Sequence, residues 1–527
     1  MASENSAPFQ SGTAVNKTNY FRTRRARFLI CFILASAPVL RLAPRRTFAE
    51  EPPVNSANAA AGNKSVATSQ PGDSPTTAPS ESAQPTSERR KMFTSRASGT
   101  GNDSLPPDYV IQASEYAKWF GEENADAWEW LDIGMEQRSR YEKRDDFFIA
   151  NQESSDHFLM RNRAYIGIRE ILDPVRFAFE FQDSRVMGAD FPFNNNNINE
   201  NELTQAILEF YFKDAFGPGE PLSIRTGRMN FDIIDRRLFG RQGFRNSTNS
   251  YDGIRIRAGD ESTKNEFNLF AVRPVERLLR QPDRPDEERW LLALTGAFRG
   301  LNPNLTLEPY YFMFDEDRKG LNQFDRELHT FGLHAYGLIG DSGFDYDLNF
   351  MWQTGKSRRQ NHRALAAHAE AGYTFKHEFK PRLAFFADYA SGDRNPNDRT
   401  NERFDRLFGN SHSAYGYSDS FILENFIQAA MRLTLQPTEK LRIEGFFRNY
   451  WLASDSDSWG QTGRRDRTGR SGDFIGHGFD IMAVYQVTKK LSVEVGYAHL
   501  TVGDFIANTA AKSDDSDFFY VQTRLKL

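Results

Sequence analysis

From about Glu129 to Leu527, apolar and polar side chains alternate with a period of two. Leu131, Ile133 and Met135 interleave with Asp132, Gly134, Glu136, Arg138 and Arg140, and Phe158, Met160, Ala164, Ile166 and Ile168 with Arg161, Arg163, Gly167 and Arg169. Such a repeat puts one set on each face of a β-strand. Similar segments recur near residues 174–184, 203–213, 222–229, 251–259, 264–273, 289–299, 304–315, 327–338, 343–354, 363–377, 380–391, 421–436, 439–453, 476–488, 490–501 and 516–527, about eighteen strands in all.

The connections alternate in length. Short ones carry tight-turn chemistry, as in Asp173-Pro174, Gly217-Pro218-Gly219, Asn302-Pro303-Asn304, Lys380-Pro381 and Lys489-Lys490. The others, about residues 141–156, 185–202, 230–250, 274–288, 392–420 and 454–475, are rich in Asn, Asp, Ser, Gly and Arg. Sorting loops by length onto two rims is the layout of an outer-membrane barrel, with short periplasmic turns and long extracellular loops. The expectation is an all-β, transmembrane, antiparallel up-and-down barrel over 106–527. Phe177, Phe179 and Phe181, and Phe344, Tyr346, Leu348, Phe350 and Trp352, fall on its apolar face. An eighteen-strand circle is too wide for side chains to fill, so its polar face must meet water or inserted loops.

Composition removes the main objections. No stretch reaches the roughly 20 apolar residues of a membrane-spanning helix. The mean hydropathy of -0.64 does not argue against a barrel, whose strands are half polar. Arg22, Arg24, Arg25 and Arg27 precede the apolar run Phe28 to Leu40, and Thr47-Phe48-Ala49 follows, which together read as a secretory signal over 1–49. Cys31, the single cysteine, would leave with it. Eight Lys or Arg and one Glu precede residue 50, so cleavage leaves 58 basic and 70 acidic groups and a net charge of -12. Nucleic acid is not an expected partner. Residues 50–105, rich in Ala, Ser, Thr and Pro, read as a disordered periplasmic tether.

Fifty of the 66 basic residues are Arg. If apolar residues face lipid, the opposite face carries Arg138, Arg140, Arg161, Arg163, Arg169, Arg225, Arg255, Arg257, Arg432, Arg442 and Arg448, together with acids and amides such as Glu180, Gln182, Glu209, Asp388 and Gln428. The guanidinium fork binds carboxylates bidentately and keeps its charge, which suits a wet path for an anionic chain. Interspersed acids would keep each site weak enough to leave. The alternative for any single Arg is cross-strand pairing that braces the wall.

Several stretches resemble the alginate-export family of bacterial outer-membrane barrels. They are Leu159-Met160-Arg161-Asn162-Arg163 with Gly167, Gln182-Asp183-Ser184-Arg185, Gly227-Arg228 through Asp235-Arg236-Arg237 to Arg245-Asn246-Ser247, and Tyr251-Asp252-Gly253-Ile254-Arg255. Tyr389 to Pro396, Arg403-Phe404-Asp405, Gly476-His477, Phe479-Asp480 and Gly496-Tyr497-Ala498-His499-Leu500 continue the series. The resemblance implies an eighteen-stranded monomeric barrel whose Arg-lined constriction passes a polyuronate, with loops partly plugging the channel. It marks Arg161, Arg163, Asp183, Arg228 and Arg255 for the selective zone. Strict alternation from Arg225 and Gly227 turns Arg228 outward, unless a bulge or the strand end intervenes. The sequence departs from the family's pattern at Gly478-Phe479 and at the terminal Leu527.

Other motifs fail. Gly340-Asp341-Ser342-Gly343 copies a serine-protease tetrapeptide but sits in a short turn without a matching His and Asp. Asp315 to Gly320 begins like a calcium loop, yet Lys319 and Arg326 occupy ligand positions. Asp455, Asp457, Asp514, Asp515 and Asp517 could gather a loop cation, and the histidines show no zinc spacing. The expectation is therefore a passive, cofactor-free outer-membrane channel, not an enzyme, for an anionic polysaccharide. Its partners would be that glycan, outer-membrane lipid and periplasmic export proteins. A general or small-anion porin is the alternative. A barrel enzyme of the lipase or acyltransferase kind, or an adhesive surface barrel, stands further off.

Overall fold

The computed structural model describes residues 106–148, 154–188, 194–318, 324–509 and 514–527. The signal at 1–49 and the tether at 50–105 lie outside them. Eighteen strands form the wall. They are β1 Leu131–Asp145, β2 Ser155–Ile168, β3 Val175–Met187, β4 Asn199–Phe212, β5 Leu222–Met229 and β6 Tyr251–Ala258. Next come β7 Asn265–Glu276, β8 Arg289–Asn302, β9 Leu305–Arg318, β10 Phe324–Leu338, β11 Phe344–Ser357 and β12 Gln360–Thr374. The last are β13 Arg382–Ala390, β14 Phe426–Thr438, β15 Leu441–Trp451, β16 Phe474–Gln486, β17 Leu491–Val502 and β18 Ser516–Lys526.

Each strand pairs antiparallel with its neighbours in sequence, and β1 pairs with β18 from Glu136↔Lys526 to Asp145↔Asp517, which closes the circle. Closure gives each wall strand a partner on both edges, the condition for strands in a bilayer. The alternation read from the sequence sets the faces: Phe181, Phe350, Trp352 and Phe385 point out and are about half exposed, whereas Glu136, Arg138, Glu180 and Gln182 point in and are buried.

Three boundaries differ from expectation by four residues or more, the first being β1, which runs on to Asp145. Residues 421–425 are not strand: Phe421, Ile422 and Leu423 are consecutively buried in a loop core, so an apolar run without alternation mimicked a strand start. β4 begins at Asn199, extending the wall through polar residues.

The loops at the long rim do not stand away from the barrel. Segments 230–250, 391–425 and 452–473 fold into the lumen and build an aromatic core. Phe231 stacks on Tyr251 at 4.5 Å, Phe239 meets Phe312 edge-on at 4.8 Å, and Phe421 stacks on Tyr450 at 3.8 Å. A bridge between Phe239 and Phe408 ties two of these loops together. The outer half of the lumen is thus packed, and the charged lining of the inner half faces the short-turn rim.

Before β1, the chain forms a two-residue strand, Ile111–Gln112, paired with Ile133 and Asp132, then helix α1, Ala113–Trp119. The short strand continues the line of β18, which ends where Leu527 and Met135 exchange backbone hydrogen bonds.

Candidate functional site

Of the twelve residues marked for a substrate path, ten lie on the lumen face. Their neighbours differ from those of a bare arginine-lined pore. Arg161 donates to Glu136 (2.9 Å) and to the loop carbonyls of Gly243 and Arg245 (3.1 and 3.2 Å). Arg163 donates to Gln182 (2.9 Å) and to the loop hydroxyl of Thr248 (2.7 Å). Arg225 bonds Glu209 at 2.8 Å, and Arg257 bonds Glu266 at 2.9 Å. Arg255 bonds the Asn268 amide and lies over Phe270. Arg169 reaches Asp132, Arg432 reaches Glu370, and Arg442, half exposed, reaches Glu444. Asp388 accepts from Arg237, His368 and Gln428. Arg448 is fully buried between Asp480 and the carbonyls of Ser413 and Ala414.

Two residues do not belong on that face. Asp183 points outward, between inward Gln182 and Ser184, and pairs with Arg185 at 2.8 Å. The period-two rule already requires this, because Glu180 and Gln182 point in. Arg228 sits at the rim, held by Glu202 (2.9 Å), by both oxygens of Asp252 (2.8 and 3.0 Å) and by the Asp283 carbonyl. It is the penultimate residue of β5, and Gly227 before it adopts φ +112°, where a Cβ would meet the Ala206 carbonyl at 2.1 Å. That backbone turn and the strand end, not a regular inward position, set its direction.

Loop 230–250 is held from the wall. Arg138 donates to the carbonyls of Gly243 and Arg245 (2.9 and 2.8 Å), and Arg140 donates to that of Phe244 (2.6 Å) and covers its ring. The Asn246 amide answers by donating to the carbonyls of Met160, Arg185 and Asn197. Wall guanidinium groups thus substitute for backbone partners the loop would otherwise find in water.

At the short-turn rim the lumen opens into a cavity of about 230 Å³. Arg169, Arg176, Arg225 and Arg257 line it alongside Asp132, Glu209, Asp260 and Glu261, with Tyr165 and Tyr211 between them. The lining of this vestibule thus mixes four arginines with four carboxylates.

A feature that sequence reasoning missed lies among the loops. Arg245 donates only to the Asn196 amide oxygen, and Arg277 to the amide oxygens of Asn249 and Asn196. Among the described residues no carboxylate forms an ion pair with either. Arg406 stands near, with one Nη unbonded and a Glu424 oxygen 3.9 Å from its Nε. Burial and the charges of Arg277 and Arg406 push Arg245 down to about 9. Asp419 acts on Arg245 and Asp283 on Arg277 only from a distance, so these three arginines from three loops have no ion pair closer than 3.9 Å among the described residues. Only the loops' general richness in Arg hinted at it, since loop residues carry no face-setting period.

Beside them, Asp283 accepts from the Leu278 amide (2.7 Å) and Asn199 (2.9 Å), while its own amide donates to Glu202 (2.8 Å). Burial, with Glu202 nearby, raises its carboxyl to about 6. A raised carboxyl stabilises the protonated fold, so the contribution is full below the unfolded value of 3.8 and fades as pH rises through about 6. Loop 277–288 should exchange its amide hydrogens with less protection at pH 7.5 than at pH 5, after correction for intrinsic rates, and Asp283→Asn should abolish the difference. Among the described residues no group of His, Cys, Asp or Glu is arranged for a metal. Asp457, one of the candidate cation ligands, instead accepts from Arg403 and from the Asp393 amide.

Comparison with known proteins agrees with this architecture. The family model described as Alginate export matches residues 129–519. The outer membrane protein OprD of Pseudomonas aeruginosa is 12% identical, with a TM-score of 0.50 over 76% of this chain and 94% of its own. OccK8 (OprE) of the same organism is 13% identical, with a TM-score of 0.51 over 75% and 98%. OccAB1 of Acinetobacter baumannii is 11% identical, with a TM-score of 0.51 over 75% and 97%. At such identities the likeness concerns the barrel fold. No curated protein matches the chain.

Proposed function

We propose, on the premise that the chain belongs to the alginate-export family of outer-membrane barrels, that it is a passive, monomeric channel for an anionic, alginate-like polysaccharide. The observation that carries this reading is the group Arg245, Arg277 and Arg406, which among the described residues meets no carboxylate in a close ion pair. Burying such charge is costly unless a partner arrives, and a polyuronate brings one carboxylate per sugar. The vestibule, where acids alternate with arginines, gives the chain a weak and hydrated entrance. Loops 230–250 and 391–425 are the gate in this reading, because they fill the path.

The sequence carries no nucleotide-binding motif, so transit follows a gradient or a push from periplasmic partners. The experiment is single-channel recording in planar bilayers with oligomannuronate or oligoguluronate added on the short-turn side. Uronates should reduce the current at concentrations where neutral dextran of equal size does nothing. Block by small organic anions with no response to uronates would favour the small-anion porin instead.

A further inference from the structure

The chain places a carboxylate of its own at the mouth of the lumen. Asp108 faces Arg524 as a two-pronged pair, Nη1 to Oδ2 at 3.0 Å and Nη2 to Oδ1 at 2.6 Å, and Lys526 Nζ lies 2.8 Å from Oδ2. Arg524 uses its Nε on Glu136, so both Nη groups are given over to Asp108. The three side chains remain in reach of water: Asp108 is 59% exposed, Arg524 28% and Lys526 29%. Carboxylates deeper in the wall, such as Glu136 and Glu266, are buried beneath arginines from several strands and cannot exchange in this way.

The segment that carries Asp108 is lightly held. Its strand pairing is two residues long, at Ile111 and Gln112. Its one buried ring, Tyr109, crosses the inner face at Gly134, where a Cβ would meet the Tyr109 carbonyl at 2.5 Å. Arg524 and Lys526 belong instead to β18, fixed on both sides by β17 and β1. A cationic pair on a strand paired along both edges is thus filled by a carboxylate on a segment paired over two residues.

We propose that Arg524 and Lys526 form a carboxylate-binding subsite at the short-turn mouth, that Asp108 occupies it in the resting chain as an internal stand-in, and that an incoming glycan carboxylate exchanges for it and lifts the strap 106–112 from the lumen. This rests on the channel reading above and adds its entrance step. The bonds exchange like for like: one carboxylate leaves the fork as another enters, and net charge in the subsite is unchanged.

The test uses the full chain and Asp108→Asn in planar bilayers, each titrated from the short-turn side with oligomannuronate and, separately, with acetate. Asp108 lies outside the wall strands, so the variant should retain the heat-modifiable mobility of a folded barrel. Removing the internal competitor should lower the half-effective concentration of either carboxylate several-fold, because the competent state is no longer masked. Adding Arg524→Gln should return it to at least the parental value. Equal half-effective concentrations in parent and Asp108→Asn would overturn the subsite, even if uronate blocks both. A shift seen with acetate, with no response to uronate in either protein, would support the subsite and remove the polyuronate reading.

Discussion

Replacing residues 233–247 by a short turn should raise the single-channel conductance several-fold and leave the barrel folded. β5 and β6 are paired up to Met229↔Tyr251, so their ends already sit side by side and need no long connection. The loop contributes Phe239 to the lumenal core and supplies the carbonyls of Gly243, Phe244 and Arg245 to Arg138, Arg140 and Arg161. Without it those guanidinium groups turn to water, which is tolerable because the emptied lumen is aqueous. The wall's own hydrogen bonds are untouched. The open path then runs past exposed arginines, and its preference should shift toward anions. Unchanged conductance from a folded variant would mean that this loop is not the obstruction.

The second large effect concerns stability. Arg448 is wholly buried, bonds Asp480 at 2.9 Å, lies 4.0 Å from the Phe446 ring centroid, and holds loop carbonyls at Ser413 and Ala414. Arg448→Met leaves the Asp480 carboxylate buried without its partner, a change that costs about 3–5 kcal/mol. Adding Asp480→Asn should recover a substantial part of that loss, because the stranded charge is removed. The urea midpoint of the folded, heat-modifiable band measures both. A loss below about 1 kcal/mol would mean that water reaches the pair, as it does for exposed ion pairs.

The barrel was legible because its code is local. Each strand alternates on its own, so β11 displays Phe344, Leu348, Phe350 and Trp352 to lipid and Asp345, Asp347 and Asn349 to the lumen without reference to any other strand. Turn residues and loop lengths did the same for the two rims. The lumen was only half legible. Alternation correctly turned Arg161, Arg255 and Arg448 inward, but it could not reveal what they would meet, because strand order and the entry of the loops decide which side chains come together. Glu136 for Arg161, Gly243 for Arg138 and Ser413 for Arg448 are contacts of topology, not of pattern. Asp183 differs for the opposite reason: the resemblance marks it for the lumen, whereas its place between inward Gln182 and Ser184 turns it outward.

The strap was hidden for a third reason. Tyr109-Val110-Ile111 after Pro106-Pro107 is the first compact apolar stretch after the Pro- and Ser-rich segment, but it is too short for alternation to show. Its meaning comes from where Arg524 and Lys526 lie, more than 400 residues later.

In the proposed channel, anions pass along a closed cylinder beside Arg245, Arg277 and Arg406. The most direct measurement is the zero-current potential of the full chain in a planar bilayer across a potassium chloride gradient, compared with Arg245→Gln, Arg277→Gln and Arg406→Gln combined. The expected potential has the sign of chloride selectivity and moves toward zero in the triple variant. A cation-selective potential, or one that the triple variant leaves in place, would contradict it.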